Sequence, residues 1–444
     1  MSLDTGGSEA PADLAAVARE KGIRYFLISF TDLFGVTRSK LVPASAIAGM
    51  QADGAGFAGF AAHIDLKPSD PDMFAIPDPS GMFQLPWKPD VAWVPSDLRI
   101  DGAPLAQCPR GTLKRVLAEA RAGGHTVMTG VECEFFLLSP CGTRLADEQD
   151  TRVKPCYDQQ VVMRRYDFIT EICDHMETLG WGPYQNDHED GNGQYEQNWG
   201  YADALTTADR HVFYKYMVKT IAEKHGFRAT FMPKPMPHLT GNGTHVHISI
   251  WDGAAETSLM EDEGGELGLS ALAHGLVGGL LEHGAALTLI TNPVVNSYKR
   301  INAPVTMSGS TWAPNTITWS GNNRTHMIRV PDSARIEVRL ADGAANPYLL
   351  QAGIAAVGLD GVARGTSPGQ RLDIDMFAEG HLVKDAPRLP LNMLDAIRLF
   401  ERSEMLRARL GDEVVRAFAK LKEREWNEYM HHFTEWERAN ALDI

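Results

Sequence analysis

Between Gly130 and Leu138 the chain reads GVECEFFLL, an apolar run that carries two carboxylates, Glu132 and Glu134, at alternate positions. Successive side chains of a β-strand point to opposite faces, so residues two apart share one face. A strand here projects both carboxylates together and turns Cys133 the other way, into inert core. Like charges side by side on an apolar strand are stabilised by a cation or a basic partner. A solvated strand face would explain the pair if it stood alone.

Other clusters of polar residues recur along the chain. His188, Glu189 and Glu196 bracket a Gly-rich turn in NDHEDGNGQYE. His245 and His247 form a same-face pair in GNGTHVHISI, and Glu337 alternates with Arg335 and Arg339 in ARIEVRL. Clustered carboxylates with one or two imidazoles suit Mg²⁺ or Mn²⁺ better than zinc or copper. Two such ions can clamp the phosphates of ATP during phosphoryl transfer. Arg300, Arg324, Arg329, Arg335 and Arg339 supply the complementary charge. Their forked guanidinium groups match carboxylate and phosphate oxygens, although any one of them alone would read as a surface ion-pair partner.

Composition narrows the partners. Lys and Arg total 42 against 57 Asp and Glu, a formal charge of −15, which argues against nucleic acid or an anionic membrane as partner. Five scattered cysteines without a CxxC pair argue against a disulfide framework and for a reducing, cytoplasmic location. The opening MSLDTGGSEAPADL lacks the basic-then-apolar pattern of an export signal, and residues 1–14 read as a disordered tail. Pro11–Lys21 reads as a short helix with proline in its first turn. IRYFLISFTD and TRSKLVP then read as paired strands, opening a small α+β unit over 15–107. The helix CPRGTLKRVLAEARAGG begins a second unit over 108–444. The apolar run from Leu267 is interrupted by His274, Glu282 and His283, so it reads as a buried helix or helix pair and not a membrane span. Near the C-terminus, Trp426, Tyr429, Met430, Phe433 and Trp436 share one helical face, which reads as core packing.

Taken in order, EFFL, HE followed by GQYE, FMPKP, GxGxHxH, NPxxNSYKR, NNRTxxIR and RIEVRxxDxxANPYL resemble the glutamine synthetase family over about residues 15–440. The resemblance implies an α+β fold: a small N-terminal β-grasp domain and a catalytic domain built on a curved antiparallel sheet. It also implies a dodecamer of two hexameric rings with active sites between subunits. It implies Glu134, Glu189 and Glu196 as ligands of one Mg²⁺ or Mn²⁺, and Glu132, His245 and Glu337 as ligands of a second, on the ATP side. By the same resemblance His247 and Arg324 contact ATP phosphates with Arg329 and Arg335 supporting them, Ser249 also binds ATP, and Tyr201 packs on the nucleotide. Gly241, Arg300 and Arg339 receive glutamate, and Tyr157 lines the amine pocket. Glu189, Arg300 and Arg324 are the expected catalytic residues.

The departures from the family pattern fall in the amine-handling parts. The stretch that reads FDGSS in the family is Phe57-Ala58-Gly59-Phe60-Ala61 here, so Ala58 replaces the aspartate that grips ammonium. The family's flap PGYEAP is replaced by SGSTWAP, with Trp312 at the corresponding place, and Thr240 replaces an asparagine before Gly241. No tyrosine matches the adenylylation loop, where DIDMFAEG stands. A pocket lined by Ala58, Phe60, Ala61, Tyr157 and Trp312 accepts an alkyl group at roughly 1 kcal/mol per buried methyl. This resembles the branch of the family that joins methylamine to L-glutamate with ATP. The alternatives are an ammonia-using glutamine synthetase, a γ-glutamylpolyamine synthetase and a non-catalytic relative.

Overall fold

The computed structural model describes residues 12–444. The first helix runs Leu14–Lys21, and Asp13 caps it by accepting the Ala15 N–H. It therefore starts later than the expected Pro11, which, with the rest of residues 1–11, lies outside the described residues. Asp32 closes the turn of the first hairpin. It is fully buried and accepts the backbone N–H groups of Phe34 and Val36, each at 3.0 Å, and Arg38 Nε at 2.9 Å.

The N-terminal sheet contains β1 (Tyr25–Thr31), β2 (Thr37–Pro43), β3 (Ala55–Phe57), β4 (Met73–Pro77), β5 (Phe83–Gln84), β6 (Val91–Ile100) and β7 (Ala103–Pro104). Its order is β2-β1-β6-β4-β3, with β5 and β7 on β6, and β1 runs parallel to β6. Leu14, Phe26, Ile28, Ile47, Met73 and Val94 belong to a core of their own under this sheet.

Helix Pro109–Ala122 follows, with Cys108 as its N-cap and proline in its first turn. Arg110 joins the two parts of the chain. Its guanidinium donates to Asp78 and Asp97 on the N-terminal side and, through both Nε and Nη2, to Asp209 at 3.0 Å. Asp209 lies on helix Ala204–Lys224 and also accepts the Tyr348 hydroxyl at 2.6 Å.

Two further sheets carry the polar motifs. One contains β8 (His125–Cys133), β12 (Ala202–Asp203), β14 (Thr244–Asp252), β15 (Trp319–Ser320), β16 (Ile328–Asp332) and β17 (Arg335–Val338), in the order β12-β8-β14-β17-β16-β15. The other contains β9 (Phe135–Leu138), β10 (Pro183–His188), β11 (Gln194–Trp199) and β13 (Arg228–Thr230), in the order β10-β11-β9-β13. All these pairings are antiparallel except β15 with β16. Behind the sheets, helices Ala271–Glu282 and Pro347–Arg364 approach closely through glycine. A Cβ on Gly279 would stand 2.2 Å from the Val357 carbonyl oxygen. The apolar run from Leu267 is thus a buried helix pair, Ala271–Glu282 and Gly284–Thr291.

Two expectations change. GVECEFFLL is not one strand: β8 ends at Cys133 in the six-stranded sheet and β9 begins at Phe135 in the four-stranded one, which leaves Glu134 at the crossing. The C-terminal stripe is not core. Helix Asp412–Met430 runs past the body of the chain, breaks, and restarts at Glu435 behind a Thr434 capping box. Of the stripe only Trp426 remains half-buried, while Phe433 and Trp436 are each 73% exposed, with no segment among the described residues covering them.

Candidate active site

The strand register explains how residues far apart in sequence meet. On the six-stranded sheet His245 lies opposite Glu132, and His247 lies opposite Glu337, which in turn faces Arg329. On the four-stranded sheet Asp187 lies opposite Glu196, and Glu189 follows β10 by one residue. The two sheets converge on a pocket of about 140 Å³ whose walls include Glu132, Glu134, Asp187, Glu189, Glu196 and His245. Arg324, Arg329, Arg339, Tyr157 and Trp312 also line it.

Glu132 is shared with a larger cavity of about 680 Å³. Tyr201, His247, Ser249, Trp251 and Arg335 line that cavity, and its size falls in the range of small-molecule sites. Gly130 on its floor has no side chain, and a Cβ there would touch Tyr201 Cβ at 3.4 Å. Arg335 Nε donates to His247 Nδ1 at 3.1 Å, which fixes that ring.

The electrostatics divide the acidic pocket in two. Burial works against the charge of Glu132, but His245 and His247 outweigh it and hold the carboxyl well below its usual range. The His247 Nε2 atom lies 3.0 Å and His245 Nδ1 3.4 Å from the Glu132 oxygens. Glu337 is buried too, yet the charges of Arg339, His245 and His247 bring it down to about 2. Its two oxygens accept from Arg339 at 2.5 Å and Arg329 at 2.7 Å. On the other side the acids face each other. Burial, then the charges of Glu134 and Asp187, push Glu189 up to about 8. Burial, then Glu132, Glu189 and Glu134, push Glu196 well above the ordinary carboxylate range.

Buried carboxylates raised by one another are what a divalent cation relieves. Three groups of donor atoms lie within 4.8 Å of one another: Glu132, Glu196 and His245; Glu132, His247 and Glu337; and Asp187, Glu189 and Glu196. The buried His245 Nε2 atom has no hydrogen-bond partner. An oxygen-rich set with a free imidazole nitrogen fits Mg²⁺ or Mn²⁺.

The remaining expected residues are placed as follows. Glu134 lines the pocket, but its Oε2 is already engaged, accepting Gln194 Nε2 at 2.7 Å and the Gly243 N–H at 2.8 Å. Its other oxygen, Oε1, lies 4.0 Å from His245 Nε2. Glu134 thus stands where the two sheets cross, and its charge is the first of the neighbouring charges that act on Glu189. Arg300 is buried behind it, and Gly241 and Gly243 make room: a Cβ on Gly241 would meet the Pro233 carbonyl oxygen at 2.3 Å. Ala58, Phe60 and Ala61 lie around a short 3-10 turn of the N-terminal part, exposed, and they do not line this pocket within their own chain. Sequence reasoning passed over Asp187, Asp190, Gln194 and Cys156, all of which line the pocket. Asp187 is accessible to it, being two residues before Glu189 near the end of β10.

A sequence model described as "Glutamine synthetase, catalytic domain" matches residues 106–441. The chain is 62% identical over 432 residues to a glutamine synthetase of Rhizobium leguminosarum bv. phaseoli, covering 97% of this chain and 99% of that protein. It is 39% identical over 444 residues to a glutamate–methylamine ligase of Methyloversatilis universalis, covering 98% and 100%. Among solved structures, a GmaS/ADP complex superposes with a TM-score of 0.94 at 60% identity, covering 97% of this chain and all of the other. Among the described residues no helix is long and apolar enough to cross a membrane.

Proposed function

The chain belongs to the glutamine synthetase family, and on that premise we propose that it joins methylamine to the γ-carboxylate of L-glutamate, with ATP as phosphoryl donor, giving γ-glutamylmethylamide, ADP and phosphate. The observation that carries the choice of amine is the pairing of Trp312 and Tyr157 with Asp187 and Glu189 in one small acidic pocket. An aromatic face beside carboxylates binds an alkylammonium ion by cation–π attraction and buries its methyl group. At about 140 Å³ the pocket also leaves little space for a polyamine beside glutamate.

In this reading the large cavity holds ATP, with Tyr201 against the base and His247, Ser249 and Arg335 toward the phosphates. Arg300 and Arg339 bind the carboxylates of glutamate. Arg324 and Arg329 face the transferring phosphoryl group and offset the charge that builds there. Glu134, Glu189 and Glu196, with Asp187 beside them, and Glu132, His245 and Glu337 are the residues that would hold two divalent cations, which neutralise phosphate charge when bound. The amine nitrogen attacks the acyl carbon of γ-glutamyl phosphate, the acyl C–O bond breaks, and phosphate leaves with its electron pair. Asp187 and Glu189 provide the negative face on which the ammonium ion is held and gives up its proton. No protein nucleophile takes part.

A second reading, glutamine synthesis from ammonia, is favoured by the name of the Rhizobium relative. Steady-state kinetics with ammonia, methylamine and ethylamine separate the two. One methyl group in a fitted pocket is worth about 10-fold or more in kcat/KM. Methylamine is expected to exceed ammonia by that margin, and a higher kcat/KM for ammonia overturns the methylamine reading. Absence of phosphate release that depends on glutamate, amine and divalent metal together would point to a non-catalytic relative.

A further inference from the structure

The loop that carries Trp312 is a compact unit. Thr306 Oγ1 lies 2.8 Å from Ser308 Oγ and donates to the Ser310 carbonyl at 2.8 Å, and Ser310 Oγ accepts the Trp312 N–H at 3.2 Å. Gly309 and Trp312 both have positive φ, at 97° and 53°, which folds the loop back on itself and directs the indole into the acidic pocket. The indole N–H is buried there without a partner.

Among the described residues, one hydrogen bond joins residues 304–314 to another part of the chain, and it runs from Ser308 Oγ to Asp190 Oδ2 at 2.5 Å. The same oxygen accepts Thr240 Oγ1, also at 2.5 Å. Thr240 precedes Gly241, whose carbonyl accepts Gln194 Nε2 at 3.2 Å and whose Cα faces Arg300. Asp190 itself follows Glu189 directly. A single carboxylate oxygen thus ties three things together: the Trp312 loop, the loop assigned to glutamate, and the acidic edge of the pocket. Asp190 borders the 140 Å³ pocket on one side and a separate cavity of about 230 Å³, lined by Leu239, Thr306 and Ser308, on the other.

We propose that Asp190 is a positioning residue that latches the Thr306–Trp312 loop across the pocket through Ser308 and thereby keeps water away from the acyl phosphate. The inference rests on the ligase reading above. With the latch made, the indole covers the acyl carbon and the amine is the one nucleophile in reach. With the latch broken, a water oxygen attacks that carbon, the C–O bond to phosphate breaks, phosphate leaves with the electron pair, and the water proton passes to solvent. The products are glutamate and phosphate, so ATP is consumed without amide. Thr240 couples the latch to the glutamate loop, so loss of the Asp190 carboxylate also weakens glutamate binding.

The test uses the full chain with ATP, Mg²⁺, glutamate and methylamine, and measures phosphate released against amide formed. Wild type is expected to release about one phosphate per amide. A hydrogen bond to a charged acceptor biases a closed loop by about tenfold or more. D190A and S308A are therefore expected to raise phosphate released without amide by about tenfold, and D190A also to raise KM for glutamate. S308T keeps the hydroxyl and is expected to restore coupling, which a purely structural role for the loop would not produce. One phosphate per amide in both D190A and S308A, even with lowered kcat, overturns the latch. Should D190A fail to fold, S308A against S308T decides, because Ser308 sits on a surface loop. Wild type that releases no glutamate-dependent phosphate overturns the ligase reading, and the latch with it.

Discussion

Glu189 offers a direct measure of the charge crowding that calls for a cation. Burial and the neighbouring Glu134 and Asp187 raise its carboxyl from the ordinary 4.5 to about 8 in the metal-free protein. The folded state therefore holds a proton that the unfolded chain has already released. Stability from this group is fully present below about pH 4.5 and is lost as pH rises to about 8. Between pH 5 and pH 8, at ~1.4 kcal/mol per pH unit, the loss is on the order of 4 kcal/mol. A chain of 444 residues unfolding as one unit has an entropy near 0.9 kcal/mol/K at ~2.1 cal/mol/K per residue, so that loss lowers Tm by about 4 °C.

The perturbation is E189Q, which keeps the shape of the protonated acid and cannot titrate. In EDTA, thermal unfolding of wild type is expected to fall by about 4 °C more than that of E189Q between pH 5 and pH 8, with E189Q the more stable at pH 8. Mg²⁺ in excess is expected to reverse the order at pH 8, because the cation binds the ionised carboxylate and stabilises wild type by mass action. Parallel pH profiles of the two proteins in EDTA refute the reasoning: the acids would then not be crowded, and the case for a cation on this edge would lapse.

Two further outcomes follow from the geometry. R110A takes away the cation that pairs with buried Asp209, while Lys114 still pairs with Asp78 and Asp97; this should cost ~3–5 kcal/mol of stability, read as a lowered Tm, with R110K intermediate because an ammonium cannot span the fork. G243A puts a methyl 2.9 Å from His245 Nε2, 3.0 Å from Arg300 Nη2 and 3.1 Å from Glu134 Oε1. It should lower kcat/KM for glutamate by about 100-fold with little change in Tm, since it displaces ligands that need sub-ångström placement.

Much of the site was readable because its residues obey strand alternation. Glu132, His245, His247 and Glu337 lie on register-matched positions of β8, β14 and β17, and a period of two in the sequence places each on its face. Glu134 obeys the same spacing and lines the same pocket, although the chain changes sheets at that residue. Nothing in EFFLL marks the crossing, since an apolar run serves either sheet equally. The C-terminal stripe fails for a related reason. Helical periodicity tells which residues share a face, and Trp426, Tyr429, Phe433 and Trp436 do recur at helical spacing, but it does not tell whether this chain supplies anything to cover them. Asp190 was invisible for a third reason: its value lies in meeting Ser308, 118 residues away, and only the folded loops show that pairing.

These failures bear on why similar proteins carry the names of two reactions. In the proposed reaction the carboxylates, imidazoles and arginines of the pocket would serve ammonia and methylamine alike, since both amines would attack the same acyl phosphate. Only the residues that surround the amine can discriminate. Of the five assigned that part from sequence, Tyr157 and Trp312 reach the pocket of their own chain, while Ala58, Phe60 and Ala61 do not. Phe60 is 61% exposed at a turn of the N-terminal sheet. For those three to touch the amine, a neighbouring copy must present its N-terminal sheet to this pocket. The two halves of the amine site would then come from different chains, one half fixed by the Asp190 latch and the other by assembly. Substitution in one half would leave the other intact, so the choice of amine can drift between relatives while every residue of the reaction centre stays in place.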